Sequence, residues 1–345
     1  MNETNPLKLV DGFVESVPQS WDSTLLDYKV IVSLVRIMIE LEDCFANPGE
    51  DPNPKLVRAI EDAVVNVESF HRMSPHFNTA NETLGASLNI NHTKELFESA
   101  WTTYSPETYE HSVELVRRRL KANNLDENFF KGKICWDGGC GTGRLAVAIA
   151  EFGASKVVAA DIGGVSLEFF KKVCDERGLK NIEIIEQDVT QLSDFKSNEF
   201  DFVASNGVLH HTENCDRGLK EHFRITKPNG MFWVYLYGAG GIYWPIYDAL
   251  RNVALRVPID RTRSILRGLG LREGLIYTYL DNFLAPRVYY TRKSFLDLFP
   301  KTEIAKQFVA KGVSAIDDID TLLHSNYGPY LMGDEGEIRH VIIKK

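Results

Sequence analysis

The stretch Asp137-Gly138-Gly139-Cys140-Gly141-Thr142-Gly143-Arg144-Leu145, entered from Lys133-Ile134-Cys135-Trp136, constrains this chain more than any other. It spells a strand, a glycine turn and a helix start. Gly139, Gly141 and Gly143 allow positive φ and let a ligand approach the backbone more closely than any Cβ would permit. From Arg144 onward, Leu145, Val147, Ala148 and Ile149 read as the helix that follows. A ligand is expected over that turn.

The surroundings sharpen the reading. A second apolar run, Lys156 to Ala160, ends in Asp161, 24 residues after Asp137, where an acid at a strand tip can accept the hydroxyls of a ribose. A third run, Ile182 to Glu186, gives way to Gln187-Asp188-Val189, and a fourth, Glu199 to Ser205, ends at Asn206-Gly207. These acid-tipped strands are expected to share one sheet edge. A dinucleotide site of the dehydrogenase kind would need its third glycine to close G-x-G-x-x-G, and here the spacing is G-G-C-G-T-G. Cys140 has no histidine and acid marking it as an activated nucleophile, so it reads as a small residue that the turn accommodates.

With these signals in order, the chain resembles the class I S-adenosylmethionine-dependent methyltransferases, in the broad group that includes quinone-pathway and natural-product enzymes. The resemblance covers roughly residues 126 to 238 plus a final hairpin. It implies an α/β, Rossmann-like fold: a seven-stranded, mostly parallel sheet with an antiparallel C-terminal hairpin, a helical N-terminal cap and a helical insertion. It further implies that Asp137, Gly139, Cys140 and Gly141 hold the methionine moiety of S-adenosylmethionine, Asp161 with Ile162 the ribose, and Asp188 with Val189 the adenine. Asn206 and the following Gly207-Val208-Leu209-His210-His211 correspond to the loop beside the methyl group. Leu219 to Met231 corresponds to the helix and turn before strand five.

Composition agrees with an enzyme of this kind. A chain of 345 residues, 44% of them hydrophobic, can fill one α/β core and leave over a hundred residues for additions. Its net charge of -9 argues against broad adhesion to phosphate backbones, so nucleic acid is disfavoured as a partner. The five cysteines (Cys44, Cys135, Cys140, Cys174, Cys215) lack C-x-x-C spacing, which indicates neither a disulfide framework nor a zinc site. Met1 to Pro6 has no basic region followed by an apolar core, and Val30 to Ile39 is too short for a membrane span of ~20 residues. A cytoplasmic protein with no metal site and no membrane partner is expected.

Residues 1–125 are expected to be mainly helical and to form a cap, either a lid or a homodimer face. One helix runs from a cap at Asp22 or Ser23 to about Cys44, a second starts after Asn53-Pro54, and a third opens at Ser105-Pro106-Glu107. Trp101 to Pro106, with Tyr104, favours the lid, with ordinary helix packing as the alternative. The catalytic domain is expected over 126–345, interrupted by a substrate-cap insertion at 238–290. That insertion offers aromatic walls at Ile242 to Tyr247, including Tyr243, and six arginines: Arg251, Arg256, Arg261, Arg263, Arg267 and Arg272. These would hold an anionic small molecule or, alternatively, form a solvated helix face with internal ion pairs. Thr291 should open a final helix, and 301–310 with 337–345 should form the closing strands, His340 and His222 serving packing.

Methyl transfer is an in-line displacement on a sulfonium, in which positioning of the reactants supplies much of the rate. If the acceptor is a hydroxyl, a base must take its proton. His211, and after it His210, stand where such a base is useful, with Tyr104 and Tyr243 as helpers. The alternative is that the two histidines only orient the loop. The expected function is methyl transfer to a small molecule at a heteroatom, oxygen favoured over nitrogen or sulfur. An RNA acceptor using the arginine-rich insertion and a catalytically silent cofactor-binding partner are the other readings.

Overall fold

The computed structural model describes residues 5–73, 105–314 and 317–345. The chain begins with helices α1 (Pro6–Ser16), α2 (Thr24–Ala46) and α3 (Asn53–Met73). Ser23 caps α2 by accepting from the Leu26 N–H, and Asn5 does the same for Leu7 at the start of α1, a helix too short to stand out in the sequence. After α4 (Pro106–Ala122), capped by Ser105, and the short α5 (Glu127–Phe130), the alternating part begins. It runs β1 (Ile134–Gly138), α6 (Arg144–Glu151), β2 (Lys156–Asp161), α7 (Gly164–Arg177), β3 (Ile182–Glu186), β4 (Phe200–Asn206), a 3₁₀ turn at Leu209–His211, α8 (Cys215–Ile225) and β5 (Thr226–Leu236). Then come α9 (Tyr243–Ala254), α10 (Ile259–Gly268), α11 (Glu273–Tyr279) and a π turn at Leu280–Leu284. The chain closes with α12 (Arg292–Leu296), β6 (Ile304–Val309), α13 (Ile319–Leu323), α14 (Gly328–Met332) and β7 (Ile338–Lys344).

The seven strands form one sheet in the order β3-β2-β1-β4-β5-β7-β6. The first five are parallel, and β7 runs antiparallel to both β5 and β6, as the expected fold requires. Near-continuous apolar runs such as Val157 to Ala160 are buried because helices cover both faces of a parallel sheet. One layer gathers around Ala146, Val147, Phe170 and Phe202, the other around Trp136, Val203, Leu219 and Phe232. The strand order reverses between β1 and β4, which opens a crevice at their carboxyl ends.

The described residues group into two compact units in a way that the linear reading did not foresee. One lies within 1–88, 240–285 and 323–334, and holds α1 to α3 together with α9 to α11 and α14. The other holds the sheet and, with it, α4. Tyr109, Val113 and Leu120 of α4 are buried in the first apolar layer of the sheet, and the Tyr109 hydroxyl donates to the Thr142 carbonyl at 2.9 Å. A cap ending at 125 therefore splits within its own span. The closing strands pair antiparallel as expected, with α13 and α14 in the connection between them, so α12 is not the final helix. Among the described residues no helix is long and apolar enough to cross a membrane.

Candidate functional site

The glycine turn sits at the crevice, between β1 and α6. Its three glycines adopt φ of 78°, 52° and 82° at Gly139, Gly141 and Gly143, each for a different reason. A Cβ on Gly139 would come within 2.4 Å of the Val208 side chain, and one on Gly143 within 2.1 Å of the Phe170 ring, so these two let the turn close against its neighbours. A Cβ on Gly141 would meet none of the described residues within 4 Å. Toward these residues, that side of the turn is open.

Two carboxylates frame the turn. Asp137 is buried, and its Oδ2 accepts from the Ala146 N–H at 3.1 Å, while its other oxygen has no hydrogen-bond partner among the described residues. Burial pushes its pKa up to about 7, with Asp161 adding to the effect and the Ala146 N–H opposing it. Asp161 accepts from the Gly141 N–H at 2.8 Å and from the Gly163 N–H at 2.9 Å, tying the tip of β2 to the turn. Ile162 follows it, half-buried. Asp188 folds into an Asx turn, Oδ1 accepting from the Thr190 N–H and hydroxyl and Oδ2 from Gln191. Burial opposes its ionisation, but those hydrogen bonds prevail and hold its pKa low. Val189 beside it is buried, and Asn206 ends β4 with its Oδ1 accepting from the Trp233 indole at 3.3 Å. All these residues lie at the carboxyl ends of β1 to β4.

Residues 136–234 match the family model described as a methyltransferase domain. The chain is 35% identical over 125 residues to a demethylmenaquinone methyltransferase of Geobacillus kaustophilus, covering 35% of this chain and 53% of that protein. It is 29% identical over 148 residues to a sterol 24-C-methyltransferase of Gibberella zeae, covering 43% and 38% respectively. It is 29% identical over 163 residues to a ubiquinone/menaquinone biosynthesis C-methyltransferase of Bdellovibrio bacteriovorus, covering 47% and 65%. The chain thus spans about half the length of the curated relatives that it matches. Residues 136–234 thus form a methyltransferase domain of the S-adenosylmethionine-dependent kind. The turn fits that cofactor on its own geometry: an open approach at Gly141, and a buried carboxylate with one uncommitted oxygen at Asp137.

The 3₁₀ turn after β4 places the two histidines differently. The His211 Nδ1 lies 2.7 Å from the Pro286 carbonyl oxygen, which can only accept, so Nδ1 carries the proton and the ring lone pair is on Nε2. The His210 ring stacks at 3.9 Å on Tyr237 and 4.1 Å on His211. Both its nitrogens are buried without a hydrogen bond, the Tyr235 backbone approaching outside hydrogen-bond geometry. Burial, then the nearby His211 and Arg287, drive its pKa well below the ordinary histidine value. Cys140 is buried, and burial raises its thiol pKa, which removes it as a nucleophile. The His222 Nδ1–H donates to the Gly218 carbonyl while Nε2 accepts from the Trp136 indole, a packing role as the sequence indicated.

The remaining predicted residues fall elsewhere. Tyr104 lies outside the described residues. Tyr243 belongs to the helical unit, where its hydroxyl donates to Glu42 Oε1 at 2.6 Å, joined there by the Tyr247 hydroxyl at 2.8 Å and the Asn282 amide at 3.3 Å. Glu42 escaped notice in the sequence, although it stands four residues after Met38 on the buried stripe of α2. The arginine-rich insertion does not present an open anion-binding face. Arg251 donates to the Leu284 and Ala285 carbonyls, Arg256 to those of Val17 and Pro18, and Arg261 pairs with Asp27. Arg263 lies 3.9 Å from Asp260 and Arg267 3.8 Å from Glu273, while Arg272 is exposed at the start of α11. The internal ion-pair reading fits these contacts, and among the described residues no group of His, Cys, Asp and Glu could hold a metal.

Proposed function

We propose that this chain transfers the methyl group of S-adenosylmethionine to a small-molecule acceptor, at an atom that gives up a proton to His211. The observation that carries the reading is the turn from Asp137 to Gly143, with its open face at Gly141 and its buried acid. Asp137 balances the cationic amino group of the methionyl part, with the backbone of Gly139, Cys140 and Gly141 along it. Asp161, held at the tip of β2 by the Gly141 and Gly163 N–H groups, is the acid that meets the ribose hydroxyls. Asp188 and Val189 face the adenine, the first as acceptor for its amino group and the second as an apolar wall, and Asn206 closes the site at β4. When bound, the cofactor supplies an activated methyl group on a sulfonium.

His211 is the base in this reading. Its Nδ1–H is fixed by the Pro286 carbonyl, which aims a neutral imidazole with the lone pair on Nε2. His210 is kept neutral by burial and serves as a wall on which His211 and Tyr237 pack. The acceptor atom is a hydroxyl oxygen or an acidic carbon, since both must lose a proton; oxygen is the sequence-based preference, and two relatives are named as C-methyltransferases.

The test is methyl transfer from labelled S-adenosylmethionine into metabolite pools by wild type, His211→Gln and His211→Ala. Both variants should lose roughly 10²- to 10⁴-fold in turnover, together with the acidic limb of the pH profile, while S-adenosylhomocysteine affinity is kept. Unchanged turnover across pH would remove His211 from the mechanism.

A further inference from the structure

The glycine turn is held from two sides. From β2, the Ala160 carbonyl accepts the Gly139 and Cys140 N–H groups at 2.8 and 3.0 Å, and Asp161 accepts that of Gly141. From α4, the Tyr109 hydroxyl donates to the Thr142 carbonyl at 2.9 Å. Thr142 stands between Gly141 and Gly143, both at positive φ, where glycine gives the chain its widest freedom. The peptide joining Thr142 to Gly143 therefore keeps its orientation through the bonds at its two ends. Its N–H donates to the Cys140 carbonyl at 2.8 Å, and its C=O accepts from Tyr109. Because Thr142 is only 2% exposed, that carbonyl gains water in place of the hydroxyl only if the turn moves.

Tyr109 is itself fixed in place. Its buried ring meets Phe169 of α7 edge to face, with centroids 5.6 Å apart, and the Arg177 guanidinium lies 5.6 Å from its centroid. Arg177 belongs to an ion network that joins three helices. It meets Glu110 of α4 at 2.5 Å and Glu151 of α6 at 3.0 Å, and Arg117 of α4 meets the same two acids. Such part-exposed pairs contribute little singly, but together they tie α4 to α6 and α7 on either side of the turn's helix. Burial raises the Tyr109 pKa, Arg177 and Arg144 opposing, so the hydroxyl keeps its proton and donates. The phenol thus has one direction and one partner.

We propose that Tyr109 is a positioning residue for the cofactor: through the Thr142 carbonyl it sets the turn in the shape that receives S-adenosylmethionine. The role rests on the methyltransferase reading of that turn. It acts on affinity, because a turn free to rotate is receptive in only a fraction of the molecules, and binding weakens by that fraction.

The experiment titrates the full chain with S-adenosylhomocysteine and records a thermal melt, for wild type, Tyr109→Phe and Val113→Ala. The first substitution removes one hydroxyl and keeps the ring. The second loosens the same helix one turn further on, in the buried apolar layer, and touches nothing in the turn. Tyr109→Phe should bind S-adenosylhomocysteine roughly five- to twentyfold more weakly, the change that loss of a buried hydrogen bond carries. Val113→Ala should keep the affinity of wild type while melting at a lower temperature than Tyr109→Phe. In transfer from labelled S-adenosylmethionine, Tyr109→Phe should need more cofactor for half-maximal labelling by the same factor and reach the wild-type rate at saturation. Equal affinity in Tyr109→Phe and wild type, or a loss as large in Val113→Ala, overturns the positioning role and leaves the methyltransferase reading standing. A wild type that ignores S-adenosylhomocysteine ends that reading and the role with it.

Discussion

At the scale of single residues, Asp137 holds a position that a carboxylate tolerates only with a purpose: fully inside the sheet edge, with one N–H for company and a pKa raised to about 7. Between the ordinary aspartate value and 7, the unfolded chain releases this proton while the native chain retains it. The contribution of Asp137 to stability therefore falls as pH rises through that window, by on the order of 4 kcal/mol at most. A cationic ligand reverses the preference, because it favours the ionised acid. S-adenosylmethionine affinity should then climb as pH approaches 7, by up to about tenfold per pH unit, and level off above it. Asp137→Asn should bind more weakly and lose the slope, which calorimetric titration from pH 5.5 to 8 reads directly. His222 works in the opposite direction: burial lowers its pKa to about 4, so the stability it confers is complete above the ordinary histidine value and is lost as pH falls toward 4. Thermal melts of wild type and Asp137→Asn across pH 4 to 7 separate the two.

Among elements, the turn between β1 and α6 shows how one glycine serves the fold and another the ligand. Gly143→Ala drives a Cβ into Phe170 at a positive φ, and should cost roughly 3 kcal/mol or more through strain and displaced packing of α6 on α7. Gly141→Ala meets none of the described residues within 4 Å, so it should cost only about 1–2 kcal/mol of backbone strain and yet abolish cofactor binding by filling the open face. Denaturant melts beside S-adenosylhomocysteine titrations test the split; equal loss of stability in both variants would contradict it. This turn was legible in the sequence because its chemistry is local, as were the caps at Ser23 and Ser105 and the acids at the tips of β1 and β2. What was not legible depends on distant contacts. Nothing near Tyr109 says that α4 joins the sheet, nothing near Asp317 says that two arginines from α4 and β7 meet there, and the stacking of His210 on Tyr237 needs β5 in place. The arginines of 251–267 looked like a ligand face because sequence shows charges and hides their partners.

For the whole molecule, net charge and the pairing of those arginines point the same way. With -9 overall and Arg251, Arg256, Arg261, Arg263 and Arg267 engaged within the helical unit, tRNA should show no steep, salt-dependent binding even at low ionic strength. A filter-binding series against salt decides this, and a steep slope would restore the RNA reading. The central claim is that the crevice at β1 and β2 holds S-adenosylmethionine, and the most direct test is calorimetric titration of wild type and Asp161→Ala with S-adenosylmethionine, S-adenosylhomocysteine and NAD. Wild type should bind both sulfur cofactors at roughly micromolar affinity and NAD not at all, and the variant should lose binding while its melt shows a folded chain. Binding of NAD alone, or sulfur-cofactor binding indifferent to Asp161, would contradict it.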